Sequence, residues 1–320
     1  MPSRSDYIPI QHAAQGLGGS QNSGIYIVRQ RRTNVVCIEK RVPPVHINAG
    51  DTHREVRAMQ QCMRHPNIVC ILDYDLHHSR TGYGCIWMQH CELGSLDALI
   101  LRLAQNRVYL PDEGFLWKVL WDITIALCYL STGCDPLTTQ ENARAGRSVP
   151  RKPGWNYVIH HDLKPSNIFM TMRYPLGANR RSDFPTCLIG DFGCSVSLAD
   201  IHSGQGGTRV LPLQDPAFNP PEAPSFDEKG DVYGIGLIIH CLALLQQVPT
   251  PSQTMRERAP LQNLYASEGL NTTISSCLIR DLRLRPSPQD LPMLVWRHYQ
   301  AWRRSRHDGG QPLPGWAFNS

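Results

Sequence analysis

Four side chains in two short stretches carry the chemistry that this sequence can perform. Residues 158–170 read VIHHDLKPSNIFM and set Asp162, Lys164 and Asn167 on one short turn ahead of an apolar strand. A carboxylate in that position can take a proton from a hydroxyl, an ammonium two residues on can neutralise a transferring phosphoryl group, and a carboxamide oxygen can bind a hard metal ion. Farther along, Asp191-Phe192-Gly193 puts a second carboxylate at the end of a separate β-like run, where it can hold Mg²⁺ against phosphates. An isolated Asp-Phe-Gly also reads as a turn with a capping acid. Two motifs in this order, with the β-like runs IFMTM and TCLIG between them, favour phosphoryl transfer over a plain turn.

The pattern H-x-D-x-K-x-x-x-N followed by Asp-Phe-Gly resembles the eukaryotic protein kinases, and the lysine in DLKPSN resembles their serine/threonine branch. MQHCELGSL, DLKPSNIFM and LIGDFG look most like the NIMA-related kinases, with the broader likeness running over residues 17–302. The resemblance implies an α+β, bilobal protein kinase fold. Residues 15–88 would form a β-rich N-lobe, 89–91 a hinge, and 92–305 a mainly helical C-lobe with an activation segment over 191–222. Residues 1–14 read as a polar lead-in and 306–320 as a mobile tail. The implied cofactors are ATP and Mg²⁺, and the implied partner is a protein bearing a serine or threonine acceptor. In that reading Asp162 orients or deprotonates the hydroxyl, Lys164 and Lys40 neutralise phosphate charge, Glu55 positions Lys40, and Asn167 with Asp191 holds the metal.

These residues need a scaffold, and the chain contains candidates for each part. In LGGSQNSGIYIV, Gly19 and Gly24 occupy the outer positions of a phosphate-covering loop while Gln21 takes the middle one, and a plain β-turn reads equally well. In NVVCIEKRV, strand alternation groups Val36, Ile38, Lys40 and Val42 as an inward face and Cys37, Glu39 and Arg41 as a polar outward one, which selects Lys40 over Glu39's side of the strand. Ile38 then stands beside the adenine, where the family has a small residue. Val56, Met59 and Met63 recur at helical spacing, with an N-cap at Asp51 or Thr52 and an end before Pro66; this helix presents Glu55. Met88 resembles a gatekeeper, and residues 89–91, Gln89 and Cys91 included, would offer backbone groups to adenine.

Leu116, Val119, Leu120, Ile123, Leu127 and Leu130 share one helical face, and residues 134–156 turn to Pro, Gly, Arg and Thr as a surface insertion would. The run GDVYGIGLIIHCLALL is apolar on nearly all sides, which predicts a helix buried in the lobe's centre, led by Asp231. In the family that aspartate ties down the catalytic turn, and Glu222 of NPPE pairs with an arginine here matched by Arg285.

Length and composition bound the remaining classes. The 320 residues, 41% apolar, can bury a large core. The net charge of +5 comes from scattered basic residues, whose small clusters at 29–32 and 303–306 read as solvated surface, so nucleic-acid binding is not expected. Eleven cysteines without a C-x-x-C pair suggest neither zinc nor a disulfide framework, and a reducing, intracellular setting is expected. The first residues lack the apolar core of a signal peptide and YGIGLIIHCLALL is too short to span a bilayer, so no membrane association is expected. Gln21, Ile38, His161 in place of the family's arginine, and Asp215 in place of a threonine keep a competing reading open: a binding module of kinase fold with weak or no phosphotransfer.

Overall fold

Period-two alternation in the first ninety residues folds into one antiparallel sheet in the order β1-β2-β3-β5-β4. Its strands are β1 Tyr7–His12, β2 Gly24–Gln30, β3 Val36–Val42, β4 Ile71–Asp75 and β5 Gly84–Gln89, with helices α1 Pro44–Asn48 and α2 Asp51–Gln61 between β3 and β4. The computed structural model describes residues 4–12, 24–79, 81–172, 184–204, 214–225, 227–250, 267–305 and 310–318. The register sets Lys40 opposite Ile25 on one side and Ile86 on the other, and Ile38 opposite Ile27 and Met88.

Three N-lobe expectations change. Residues 1–14 include β1, which pairs along β2 from Tyr7↔Gln30 to His12↔Tyr26. The outward face of β3 is not solvated either. Tyr7 stacks on Trp87 at 4.2 Å, Cys37 and Val28 pack beside them, and Trp87 donates its indole N–H to buried Glu39 at 3.1 Å. A second, small core therefore covers the sheet's outer side, and Glu39 is tolerated there because Trp87 and Arg41 satisfy its two oxygens. Helix α2 begins after Gly50, whose φ of +86° suits glycine, and stops at Gln61, so Met63 lies beyond it and is 41% exposed. Val56 and Met59 are buried as the periodicity requires.

The C-lobe contains α3 Leu96–Gln105, α4 Gly114–Thr132, α5 Pro136–Arg144, α6 Leu198–His202, α7 Glu228–Leu244, α8 Glu268–Cys277 and α9 Leu291–Ser305. Two short antiparallel pairs lie at its top: β6 Val158–Ile159 with β9 Val196–Ser197, and β7 Ile168–Thr171 with β8 Thr186–Ile189. The six apolar residues predicted for one face of α4 are buried, and so are Phe115, Trp117 and Ile125, because α7, α9 and β8 enclose the helix on several sides. Among the described residues α4 alone has the length and apolar character to cross a membrane, yet 83% of that span is buried inside the lobe. Helix α7 is buried almost throughout; a Cβ on Gly234 would stand 3.0 Å from Leu163, so the glycine lets the turn after β6 seat on the helix.

Two segments expected at the periphery are also anchored to the lobe. Residues 134–156 contain α5, capped by Asp135 at its first turn, and Val149, whose N–H bonds the Gln289 carbonyl at 3.0 Å. Val149 joins Cys128 and Cys134 in a buried cluster. The end of the chain docks on the lobe: Leu313 and Ala317 enter the core, and Arg102 donates Nε–H to the Ala317 carbonyl at 2.8 Å. The lobes are joined through the segment after α2, where Val69 N–H bonds Ile189 O and Ile189 N–H bonds Asn67 O, each at 2.9 Å.

Candidate active site

Strand β3 delivers Lys40 to the face toward α2, where its Nζ lies 2.6 Å from Glu55 Oε1 and 3.0 Å from Asp191 Oδ1. Burial works against a charge on Lys40, but the Asp191 and Glu55 carboxylates outweigh it and hold the ammonium well above its ordinary value. Lys40 in turn pulls the Asp191 carboxyl below its ordinary value. The site therefore joins one cation to two anions, and the Asp191 side chain remains 38% exposed. Asp191 sits at φ +59°, a left-handed conformation that aspartate tolerates better than most side chains, and it precedes a 3-10 turn, Phe192–Cys194. Phe192 is fully buried against α2 and the ring of His160, which anchors the turn from below.

The second half of the site is the turn after β6. Asp231 at the start of α7 accepts the backbone N–H of His160 at 2.7 Å and of His161 at 2.9 Å. Two such bonds would favour the carboxylate, yet burial dominates and pushes Asp231 up to about 7. His160 is buried and held neutral, its pKa lowered to about 4 by burial. Its Nε2–H donates to the Gly190 carbonyl at 3.1 Å while Nδ1 accepts the Asp162 N–H at 3.3 Å, so one imidazole ties the two carboxylate-bearing segments together. His161 takes φ +66°, and Gln214 reaches back to bond its carbonyl.

Asp162 is nearly buried. Lys164 Nζ stands 2.9 Å from its Oδ2, and Asn167 donates Nδ2–H to the same oxygen at 3.0 Å and to the Asp162 carbonyl at 2.8 Å. Burial is the largest influence on Asp162 and raises it to about 6, with Asp191 adding to the rise and Lys164 opposing it. Because Nδ2 is spent on Asp162, the oxygen of Asn167 is the atom left to act as a ligand. Two oxygen donors, Asn167 and Asp191, suit a magnesium ion that completes its shell with phosphate oxygens and water. Among the described residues no group of three or more His, Cys, Asp or Glu side chains could hold a metal by itself.

The structure thus joins Glu55, Lys40 and Asp191 in one set of contacts and Lys164, Asp162 and Asn167 in another. Gly24 opens β2 at φ +133°, where a Cβ would meet the Tyr26 ring at 2.9 Å; Gly19 and Gln21 lie outside the described residues. Ile38 and Met88 face each other across β3 and β5. In the hinge, Gln89 N–H is already bonded to Cys70 O at 2.9 Å and Cys91 O accepts Gly94 N–H at 3.1 Å, so the expected backbone groups are partly committed within the chain. Glu222 and Arg285 form a two-pronged pair at 2.6 and 2.9 Å. Sequence reasoning missed the linking role of His160, although its place two residues before Asp162 is a signal, and it missed Gln214, which has none.

No family profile matches the chain. Among curated proteins it is similar to the G2-specific protein kinase nimA of Emericella nidulans, at 30% identity over 236 residues, covering 68% of this chain and 30% of that protein. It is 29% identical over 284 residues to the G2-specific protein kinase nim-1 of Neurospora crassa, covering 82% and 30%. Against the serine/threonine-protein kinase Nek2 of Mus musculus the identity is 27% over 248 residues, covering 74% and 48%. The chain spans 30% of the two fungal relatives' length and about half of Nek2.

Proposed function

We propose that this chain, which is similar to the kinases nimA and Nek2, is a serine/threonine-type protein kinase that transfers the γ-phosphoryl group of ATP to a serine or threonine hydroxyl of a protein. The observation that carries this reading is the closed set of contacts Glu55–Lys40–Asp191 beside Lys164–Asp162–Asn167. A bound ATP·Mg²⁺ would supply the phosphoryl group and the positive charge that spreads its negative charge in transit. Lys40 would grip phosphate oxygens, and Glu55 keeps its ammonium aimed into the cleft. Asn167 and Asp191 would hold the metal. Asp162, with Oδ2 pinned by Lys164 and Asn167, would orient the acceptor hydroxyl and take its proton. Lys164 would then offset charge at the acceptor side. A reducing, intracellular setting is supported by the eleven cysteines, all free thiols and ten of them buried.

Transfer of radiolabel from ATP to a generic basic protein tests the proposal. The wild type should exceed Asp162→Asn by roughly 10²–10⁴-fold, the usual worth of a positioned acid–base group. Thermal shift with ATP·Mg²⁺ should persist in Asp162→Asn and vanish in Asp191→Asn. A retained shift with no transfer above the Asp162→Asn level would favour the binding-module reading.

A further inference from the structure

Helix α2 aims Glu55 at Lys40, so whatever holds α2 against the C-lobe governs the cleft. Two residues after Glu55, on the same helix, Arg57 extends its Nη2 to 2.7 Å from Asp200 Oδ1. Asp200 lies in α6, the short helix that follows the Asp191-Phe192-Gly193 turn, and its carboxylate is almost buried. The other oxygen of Asp200 accepts the Ser197 N–H at 3.0 Å and the Ser197 hydroxyl at 2.6 Å, closing a reciprocal cap on α6. Helix α6 is itself fixed to the catalytic turn's approach. Leu198 N–H bonds Tyr157 O at 2.9 Å, and Ala199 N–H bonds the Asn156 side chain at 2.8 Å. Asn156 in turn donates to Gln61 Oε1 at 3.1 Å, and Gln61 Nε2 donates to the Asn156 carbonyl. The last turn of α2 and its middle are thus moored at two points to one small platform.

We propose that Arg57 and Asp200 are positioning residues that hold α2, and with it the Glu55–Lys40 contact, by a carboxylate built into the activation segment. The proposal rests on the kinase reading of the site. A side-chain carboxylate supplies its negative charge to Arg57 without any covalent modification. The hydroxyls that begin the segment fit this arrangement: Ser195 is buried and donates to the Phe192 carbonyl at 2.7 Å, and Ser197 is buried in the cap. Neither is presented for modification while α6 is folded. Exposed Ser203, at the end of α6, donates to the Asp200 carbonyl at 3.2 Å and takes no part in the contact with α2.

Asp200→Asn is the informative variant, because a carboxamide oxygen still accepts from Ser197 while the charge facing Arg57 is gone. Hydrogen exchange of residues 51–61 reads the effect without any turnover, so it tests the mooring even if the chain transfers no phosphate. Arg57→Ala and Asp200→Asn should each speed exchange there at least threefold, and the double variant should be no faster than the faster single one. Arg57→Lys should restore wild-type exchange to within twofold. In the transfer assay kcat should fall about tenfold in both single variants with KM for the protein acceptor unchanged, and wild-type activity should withstand phosphatase. Unchanged exchange over 51–61 in both single variants, additive effects in the double variant, or loss of most wild-type activity on phosphatase treatment would overturn the proposal. Absence of wild-type transfer together with the expected exchange pattern would sink the kinase reading and leave the mooring standing.

Discussion

Two cation–carboxylate contacts of equal length, 2.6 Å, each with a buried cation, do opposite work in this molecule. At the base of the C-lobe, Arg285 meets Glu222 with two parallel hydrogen bonds, gives further ones to the carbonyls of Ile279 and Lys229, and stacks over Tyr233 at 4.9 Å. Charge is balanced and the guanidinium is sealed from water, which makes the pair a fastening. In the cleft, Lys40 meets two carboxylates, Glu55 and Asp191, and the second remains partly open to solvent. That set carries an uncompensated negative charge on its open side, which is the condition for drawing in a divalent cation. Equal distances therefore say little; the count of charges and the open face separate a fastening from a candidate cation site.

The sharpest way to break the comparison is to remove each cation. Arg285→Ala should lower unfolding stability by about 3–5 kcal/mol, since Glu222 loses its partner within the fold. Mg²⁺ should not restore it in a denaturant titration. Lys40→Met should cost less, about 1–3 kcal/mol at neutral pH, because Glu55 can neutralise itself and Asp191 has solvent access. Here millimolar Mg²⁺ should recover part of the loss. Equal insensitivity of both variants to Mg²⁺ would mean that the cleft is as closed as the base.

Asp162 allows a finer comparison by pH. Burial raises its carboxyl from 3.8 to about 6, so the folded state binds a proton that the unfolded chain has already released in that interval. Stability from this group is complete below the unfolded value and declines as pH rises through about 6. Asp162→Asn, which cannot titrate, should gain on the wild type by roughly 1–3 kcal/mol between pH 4 and pH 7. Turnover should move the other way in the wild type, with kcat/KM climbing to a plateau above about pH 6 as the carboxylate becomes able to accept a proton. A flat profile from pH 5 to 8 would remove Asp162 from proton transfer.

The site was legible in the sequence because its chemistry demands fixed residue types at short spacing: Asp162, Lys164 and Asn167 fall within one turn, and Asp191 is tagged by its neighbours. Lys40 was legible through strand alternation, since the lysine had to share a face with apolar neighbours. The other face of the same strand was not. Cys37 and Glu39 look solvent-bound until Tyr7, thirty residues earlier, stacks on Trp87, fifty residues later, and covers them. Long-range cover of that kind leaves no local pattern. It also explains the two ends: β1 and the docked residues 310–318 look polar or Pro/Gly-rich in isolation and are recruited by surfaces that only the folded lobes present.

The smallest effect should come from Asp215. Asp215 stands where the family has a threonine, and a carboxylate that crowded Asp162 there would restrain activity, so that Asp215→Thr would raise turnover. In the structure Asp215 instead caps a 3-10 turn, Pro216–Phe218, accepting the Ala217 N–H at 3.0 Å, and its charge bears on Lys164, whose pKa it helps to raise against the cost of burial. Lys164 is held far more closely by Asp162, at 2.9 Å. Removing the outer carboxylate leaves Lys164 cationic at neutral pH and leaves Asp162's own partners in place. Threonine keeps a hydroxyl acceptor for the Ala217 N–H, so the turn itself should survive. Asp215→Thr should therefore change turnover by less than about threefold, under roughly 0.7 kcal/mol of barrier, in either direction. An increase of tenfold or more would show that the outer carboxylate does reach Asp162, and that the charge excess of the cleft extends to the substrate side.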